Sequence, residues 1–322
     1  MARVLPLLLL AGLLVLVCVG AAGAQTYAEK LGYKPGDRVL IVHADDAGMC
    51  LSSTLGAIGG LERGIVTSTS IMMPCPWVGK MAQYVREHPQ VDAGLHLALT
   101  AEHDFLRWPP VAGKSAVPGL ADQWGCLWDN VDQVCQHATP DEIETEIRAQ
   151  IDRALAFGIH PTHIDTHMGT LVARQDYLER YVKVGIEKGL PIMAFGSLPG
   201  EDFGPEITAR YRQLLRQVWN AGLPVLDTMV NNDYGWKADE KKARYLELLR
   251  NLKPGVHLMI VHCAVPGEEI FSVNGLSAAS RWIGDYEAMT DPEIIQLIKD
   301  QGIILSTWRE CKERRLKYGK PE

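Results

Sequence analysis

The sequence predicts an α/β fold whose parallel sheet forms an irregular (β/α) barrel. Short apolar runs alternate with longer amphipathic stretches along most of the chain, which is typical of parallel strands joined by crossover helices. Roughly seven or eight such units fit a barrel better than an open doubly wound sheet. The open sheet stays the alternative, although no GxGxxG string follows the first strand to support it.

The predicted strands are short apolar or alternating runs, and the predicted helices are longer stretches with helical spacing of apolar residues. The predicted strands cover residues 38–43, 67–73, 92–97, 163–166, 191–194, 225–229, 256–261 and 302–306. The predicted helices cover residues 52–63, 77–88, 140–157, 174–188, 206–221, 239–252 and 291–300. Because the carboxyl ends of parallel barrel strands meet at one mouth, polar residues that follow these strands are expected to converge there.

One long segment, residues 101–138, interrupts the alternation and contains Trp108, Trp124 and Trp128. An insertion after the carboxyl end of a strand is well placed to act as a lid or a substrate wall. The string Arg107-Trp108-Pro109-Pro110 within it predicts either an aromatic surface that stacks on a sugar or a hydrophobic plug at the barrel mouth.

The amino-terminal segment, residues 1–24, has the pattern of a secretory signal peptide. Arg3 precedes an apolar run, and Ala22-Gly23-Ala24 predicts cleavage before Gln25. The run is shorter than the roughly 20 residues that a transmembrane helix needs. We therefore expect an exported protein, periplasmic or secreted, with a single catalytic domain over residues 25–322 and no membrane insertion of the mature chain.

The charge of the chain argues against nucleic acid or an anionic membrane as a partner. The full sequence has a formal net charge of -7, and loss of the signal segment with Arg3 makes it more negative. The cysteines that remain after cleavage are scattered without a CxxC pair, so no zinc knuckle is indicated. Cys126 and Cys135 are close enough in sequence to close a small disulfide loop, and Cys50 and Cys263 are expected to be small core residues.

Two neighbouring aspartates, Asp45 and Asp46, end the first predicted strand in the string RVLIVHADDAG. At a strand end both carboxylates can reach one pocket, where one holds a metal ion and the other accepts a proton. Taken alone, an Asp-Asp pair before glycine is also typical of a solvated turn or a helix cap. The histidines elsewhere in the sequence favour the first interpretation.

Histidines end three other predicted strands. His96 ends the third strand, His163 and His167 flank the fourth in PTHIDTH, and His262 follows VHLMIV. A single histidine of this kind usually has an ordinary hydrogen-bonding role, but four strand ends carrying carboxylates or imidazoles indicate a site. Two imidazoles and one carboxylate leave an open coordination position for water, so His96, His167 and one aspartate would serve as a catalytic metal site.

The same residues carry a family resemblance. The strings VHADDAG, GIVTSTSIMMP, AGLHLALT, PTHIDTHMGT and IVHCA resemble those of the YdjC-like (ChbG/HpnK) carbohydrate deacetylases, in the same order, over roughly residues 37–310. The resemblance implies an irregular (β/α) barrel of the polysaccharide-deacetylase type. It also implies a divalent metal ion and the removal of acetyl groups from N-acetylated sugars.

Carried over residue by residue, the resemblance assigns the metal to Asp46, His96 and His167. Asp45 becomes the base, and His262 the acid that protonates the departing amine. Ala47 and the string Met168-Gly169-Thr170 stand where many relatives have a phenylalanine and a further histidine cluster, which affects the substrate pocket rather than the metal set.

Other polar residues receive less specific roles. We expect Asp165 to orient a liganding histidine through a hydrogen bond, and His163 to be either a further site residue or a structural one. Strand alternation predicts that His43 packs on the opposite face. Arg281 is the one evident arginine that could bind substrate.

Two further segments predict ordinary structural elements without a role in the site. The polar run at residues 67–70 predicts an ordinary half-buried strand, and the basic segment at residues 309–320 predicts a solvated, frayed end.

The sequence thus predicts an exported carbohydrate deacetylase that uses one divalent metal ion, zinc or magnesium, to hydrolyse an acetamide or an ester on a sugar. Two alternatives stay open, a metal-dependent hydrolase of phosphate esters and a non-catalytic sugar-binding protein. The oligomeric state also stays open, with a homo-oligomer among the expected states.

Overall fold

The computed structural model describes residues 25–197, 204–230 and 235–322. The predicted signal peptide, residues 1–24, lies outside the described residues. In the part of the chain that is described, no helix combines the length and the apolar character needed to cross a bilayer.

A curled parallel sheet forms the centre of the molecule. Its strands are β1 (Arg38–Ala47), β2 (Ser68–Ile71), β3 (Asp92–Leu97), β4 (Ile164–Thr166), β5 (Thr228–Met229), β6 (Gly255–Val261) and β7 (Ile304–Leu305). The strands are paired in the order β4-β3-β2-β1-β6-β5, and β7 pairs with β1. All of these pairings are parallel, as the alternating sequence pattern predicts.

Single bridges continue the sheet between its two ends. Ile164 of β4 pairs with Ile192, and Phe195 pairs with Leu226 just before β5. The predicted strand at residues 191–194 is therefore reduced to isolated bridges, and the predicted strand at 302–306 to the two residues of β7. The irregular barrel is confirmed, with its weakest pairing on this side.

Helices cover the outside of the sheet and agree with the predicted positions to within one or two residues at most ends. They are α1 (Tyr27–Lys30), α2 (Leu51–Arg63), α3 (Val78–Glu87), α4 (Val131–His137), α5 (Pro140–Ala156), α6 (Gln175–Lys188), α7 (Gly204–Asn220), α8 (Ala238–Arg250), α9 (Glu268–Met289), α10 (Pro292–Asp300) and α11 (Trp308–Tyr318). Two short 3-10 helices, Pro118–Leu120 and His167–Val172, lie after β3 and β4. The sequence patterns did not predict α9.

The carboxyl-terminal segment corrects a prediction. Residues 309–320 were expected to form a frayed end, but α11 is a regular helix with Trp308, Cys311 and Arg315 buried. The carboxylate of Asp92 accepts hydrogen bonds from the backbone N–H groups of Trp308 (3.0 Å) and Arg309 (3.1 Å). This carboxylate caps the helix and docks it against the start of β3.

The insertion at residues 101–138 is a packed wall with its own buried residues. The indole N–H of Trp108 donates to the carbonyl of Thr100 (2.9 Å), and Ala121 pairs with Leu127 in an isolated bridge. Glu146 of α5 accepts the backbone N–H groups of Val111 (2.8 Å) and Ala112 (2.9 Å). These contacts hold the segment beside the carboxyl ends of β3 and β4.

Candidate metal centre

The carboxyl ends of four strands bring the predicted site residues together. Asp45 and Asp46 lie in β1, His96 in β3, His167 directly after β4 and His262 directly after β6. All five side chains are buried, with exposed fractions between 2 and 6%. Charged and polar groups are rarely buried in such numbers without a ligand or mutual pairing.

An irregularity in β1 lets both aspartates face the same pocket. Ala44 pairs with Thr69 and Ala47 pairs with Ile71, so three steps along β1 match two steps along β2. Such a bulge rotates the side chains that follow it. Asp46 has a positive φ of 60°, a conformation that costs a non-glycine residue free energy and that occurs most often at functional sites.

Three side chains present one ligand atom each to a common point. Oδ1 of Asp46 is 3.3 Å from Nε2 of His96 and 3.3 Å from Nδ1 of His167. Two ligands about 2.1 Å from one ion at a tetrahedral angle are about 3.4 Å apart. All three atoms lie within 4.8 Å of one another. Oδ1 of Asp46 is buried and finds no hydrogen-bond donor among the described residues, as expected of an atom reserved for a metal ion.

The second nitrogen of each imidazole is held by a carboxylate. Nδ1 of His96 donates to Oδ1 of Asp165 (2.6 Å), and Nε2 of His167 donates to Oε1 of Glu102 (2.8 Å). These contacts fix the ring orientations and direct the remaining nitrogens toward Asp46. Metal-binding histidines characteristically have such carboxylate partners. The donor set therefore fits a divalent metal ion, and Asp46, His96 and His167 could hold it.

The pKa shifts in the cluster show which protons a metal ion would displace. Burial alone would raise the pKa of Asp46, but His167 and His96 hold it well below its usual range. Burial alone would lower the pKa of His167, but Glu102 and Asp46 raise it to about 9. Asp45 and Asp165 likewise raise the pKa of His96 well above its usual range against the effect of burial. In this state protons on the imidazoles balance the buried carboxylates.

Glu102 was not predicted from the sequence. It lies in the irregular segment after β3, and its Oε1 is also 3.5 Å from Nε2 of His103. Although burial opposes ionisation, His167 lowers the pKa of Glu102 to about 2, so the carboxylate is charged. Its position five residues after the strand that carries His96 was the only available sequence signal.

His43 corrects a second prediction, because it belongs to the site instead of packing on the opposite face. Its Nε2 is 2.7 Å from Oδ2 of Asp165 and 3.1 Å from Oδ1 of Asp45. Burial favours the neutral ring, but these two carboxylates raise the pKa of His43 to about 9. Asp165 thus contacts both His43 and His96, and a continuous chain of polar contacts joins the predicted base to a predicted metal ligand.

The polar run at residues 67–70 is likewise more than a half-buried strand. Ser68 and Ser70 are fully buried, and their hydroxyls lie 2.9 Å and 3.1 Å from the two ring nitrogens of His43. The hydroxyl of Ser70 also donates to Oδ1 of Asp45 (3.4 Å). Their hydroxyls help to position the base.

His163 lies outside the metal cluster. Burial lowers its pKa to about 4, so the ring is neutral, and it stacks on Trp308 at a centroid distance of 5.4 Å. A Cβ atom at Gly94 would lie 2.4 Å from its Nε2, so the ring fills the space left by this glycine. Its position supports the structural one of the two predicted roles.

His262 lies beside Asp46, directly after β6. Its Nε2 is 3.7 Å from Oδ2 of Asp46, and its ring packs against Trp282 of α9 at a centroid distance of 5.2 Å. The imidazole therefore reaches the metal cluster without belonging to the set of three close ligand atoms.

Two residues considered for substrate contact and one cysteine pair remain to be placed. Trp108 is 2% exposed, which favours the hydrophobic plug over the aromatic wall, and the sugar-stacking role stays a prediction. Arg281 of α9 is half-buried and donates to the hydroxyl of Ser277 (3.4 Å), so its role stays a prediction. Cys126 and Cys135 are free thiols, whereas Cys50 and Cys263 are buried core residues as predicted.

Comparisons with known proteins identify the family of the chain. The model of the YdjC-like protein family matches residues 39–300. A carbohydrate deacetylase of Thermus thermophilus is 30% identical over 286 residues, covering 88% of this chain and 97% of the relative. A chitooligosaccharide deacetylase of Yersinia enterocolitica is 32% identical over 159 residues, covering 48% of this chain and 59% of the relative.

A solved structure supports the fold. The crystal structure of a candidate cellobiose-phosphate cleavage protein from Enterococcus faecalis has a TM-score of 0.69 and 23% identity, and the match covers 84% of this chain and 98% of the other. With the matched family model spanning β1 to α10, the chain belongs to the YdjC-like protein family.

Proposed function

We propose that the protein is a metal-dependent carbohydrate deacetylase that hydrolyses the acetamide group of an N-acetylated sugar. The observation that carries the proposal is the buried set Asp46, His96 and His167, whose ligand atoms face one another while both imidazoles are held by carboxylates. Relatives named carbohydrate deacetylase and chitooligosaccharide deacetylase support the substrate class.

A divalent ion held by these three residues would make a water molecule more acidic and polarise the acetyl carbonyl. Asp45 is placed to accept the proton of that water, since its Oδ2 lies 3.7 Å from Nε2 of the ligand His96. Its other oxygen is oriented by His43 and Ser70. Asp45 thus stays outside the three-ligand set while remaining beside it.

His262 is placed to donate a proton to the nitrogen of the leaving amine. An amine leaves poorly as an anion, so the carbon–nitrogen bond breaks only with proton transfer to nitrogen. The Nε2 atom of His262 lies 3.7 Å from Oδ2 of Asp46, beside the three candidate metal ligands. The donated proton and the one that Asp45 accepts balance over the reaction, which yields acetate and a free amine.

Release of acetate from N-acetylated chitooligosaccharides tests the proposal. We expect release by the metal-supplemented protein and its loss after chelation, with recovery on addition of zinc or magnesium. The exposed Asp152→Asn variant serves as a control with unchanged activity. No acetate from any N-acetylated sugar, together with phosphate release from sugar phosphate esters, would overturn the proposal in favour of a phosphoesterase.

We also propose that the chain is exported after removal of residues 1–24. The pattern of Arg3, the apolar run and Ala22-Gly23-Ala24 supports this proposal. Expression of the full chain in a bacterial host, followed by fractionation and amino-terminal sequencing, tests it. A mature protein beginning at Gln25 outside the cytoplasm is expected, and an intact amino terminus in the cytoplasm would contradict it.

A further inference from the structure

A buried ion pair lies behind the strand end that carries His262. Nζ of Lys241 in α8 is 2.5 Å from Oδ1 of Asp285 in α9, and the two side chains are only 2% and 1% exposed. The hydroxyl of Tyr245, one turn further along α8, donates to the same oxygen (2.6 Å). Burying two charges costs desolvation free energy, so a contribution to stability does not by itself explain an ion pair that is this deeply buried.

The second oxygen of Asp285 holds the backbone next to the metal cluster. Oδ2 accepts the backbone N–H of His262 (3.1 Å), one residue after the end of β6. The paired register of β6 with β1 ends at Val261, so this carboxylate holds the backbone at the residue that directly follows the register.

The same helix holds the side chain and the following residues. The Trp282 ring, three residues before Asp285, packs against the His262 imidazole, and the carbonyl of Trp282 accepts the backbone N–H of Ala264 (3.1 Å). Residues of α9 thus contact the backbone N–H of His262, its ring and the backbone of Ala264, two residues further along.

We propose that Asp285, charge-balanced by Lys241, is a positioning residue that fixes His262 for proton donation to the leaving nitrogen. The inference rests on the proposed deacetylase function. Asp285 acts on the site through its hydrogen bond to the backbone N–H of His262. Because this backbone carries the imidazole, a small backbone shift would move Nε2 away from the leaving nitrogen.

Two substrates that differ in the leaving group separate positioning from folding. N-acetylchitobiose releases an amine that needs a proton, whereas 4-nitrophenyl acetate releases a phenolate that does not. We expect Asp285→Asn to lower kcat for the amide roughly 10- to 100-fold with little change in KM. Chelator-sensitive hydrolysis of the aryl ester should stay within about threefold of the wild-type rate, because the metal site and Asp45 are untouched.

A double variant tests whether Asp285 acts through His262. His262→Ala should show the same selective loss on the amide, and His262→Ala/Asp285→Asn should be no slower than His262→Ala alone. Tyr245→Phe removes the hydroxyl that donates to Asp285, and it should lower kcat on the amide selectively but by a smaller factor. If Asp285→Asn does not fold, the Tyr245→Phe variant still tests the inference.

The neighbouring residue provides a matched control. Lys242 also lies in α8 and pairs with Asp291, but its side chain is 46% exposed. Lys242→Met should leave both activities unchanged, because an exposed ion pair of this kind contributes little. Metal content and near-ultraviolet circular dichroism of every variant establish that the fold is retained.

Each outcome is decisive. Equal loss on amide and ester, or loss in the double variant that adds fully to that of His262→Ala, assigns Lys241 and Asp285 a merely structural role and overturns the inference alone. Wild-type rates in Asp285→Asn and Tyr245→Phe on the amide do the same. A wild-type protein that releases no acetate from N-acetylchitobiose overturns the proposed function, and the inference falls with it.

Discussion

The two neighbouring aspartates share one pocket because β1 stops being regular between Ala44 and Ala47. Regular alternation would send Asp45 and Asp46 to opposite faces. The bulge and the positive φ of Asp46 instead place Asp46 Oδ1 at 3.3 Å and Asp45 Oδ2 at 3.7 Å from the same atom, Nε2 of His96. One pair of adjacent residues can then divide metal binding from proton transfer.

This division predicts opposite phenotypes for two nearly identical substitutions. Asp45→Asn should lower kcat by about 10²- to 10⁴-fold while the protein keeps its metal, because the amide cannot accept the proton. Asp46→Asn should instead lose metal, because the carboxylate ligand is removed. Acetate release and metal content by mass spectrometry are the measurements. Full metal loss in Asp45→Asn, or turnover near the wild-type rate, would contradict the assignment of the base.

Glu102 should control metal affinity without contacting the ion. Its carboxylate holds Nε2 of His167 at 2.8 Å, so Glu102→Gln should weaken metal binding by roughly 10- to 100-fold through a less basic and less well-oriented ligand. Competition with a chromophoric chelator measures the affinity. Glu87→Gln, which only breaks an exposed contact with Gln83, is the control. Equal affinities for wild type and Glu102→Gln would show that His167 is not a ligand.

The sequence allowed prediction of the site residues that lie at the ends of predicted strands. His96, His167 and the Asp45-Asp46 pair end such strands, so parallel topology was sufficient to bring them to one edge. The choice of Asp46 as the metal ligand came from the family resemblance, because its orientation depends on the bulge in β1. Glu102 could not be found in this way, because an irregular loop determines its position. His43 was misassigned because strict alternation does not hold in a strand that contains a bulge.

At the level of whole elements, α11 shows that a helix with a highly charged sequence can still have a buried face. Its sequence, WRECKERRLKY, has few apolar residues, which favoured the interpretation as a solvated end. Its inner face is formed instead by Trp308, Cys311 and Arg315, of which the arginine is 4% exposed. The Arg315 guanidinium lies over the ring of Trp219 (4.1 Å to the centroid), and its Nε donates to the Trp219 carbonyl (2.9 Å). An arginine that stacks and donates in this way acts as a core residue.

Removal of this side chain should therefore destabilise the fold. Arg315→Ala leaves the Trp219 carbonyl without its donor and should lower the free energy of unfolding by about 2 kcal/mol. Lys317→Ala on the exposed face of the same helix should have little effect. Urea denaturation of the two variants checks the difference. Similar midpoints would mean that α11 does not contribute to the cooperative unit.

At the scale of the whole molecule, strand pairing in the barrel is extensive between β1 and β6, which carry site residues, and sparse on the opposite side. β1 pairs with β6 over seven residues, from Arg38 to Ala44, while isolated bridges at Ile192 and Phe195 complete the opposite side. The sequence pattern predicted whole strands at residues 191–194 and 225–229, because local pattern reports burial but not pairing. The number of ladder hydrogen bonds depends on where neighbouring strands end, which a single sequence does not specify.

The buried charges of the whole site make stability depend on pH, and metal binding should weaken this dependence. Without metal, His43 and His167 have a pKa of about 9, raised by neighbouring carboxylates, against about 6.5 in an unfolded chain. The folded protein therefore binds more protons than the unfolded chain between about pH 6.5 and 9. The stabilisation is fully present below pH 6.5 and is lost as the pH rises through 9.

Chelated protein should accordingly lose several kcal/mol of stability from about pH 6.5 to 9. Metal-loaded protein should lose less, because an ion takes over from the proton on His167, and binding should release protons near neutral pH. Urea denaturation at several pH values, and calorimetric titration with metal in buffers of different ionisation enthalpy, measure the two effects. His167→Gln should reduce both the slope and the proton release. The same pH slope with and without metal would show that the ion does not bind at these imidazoles.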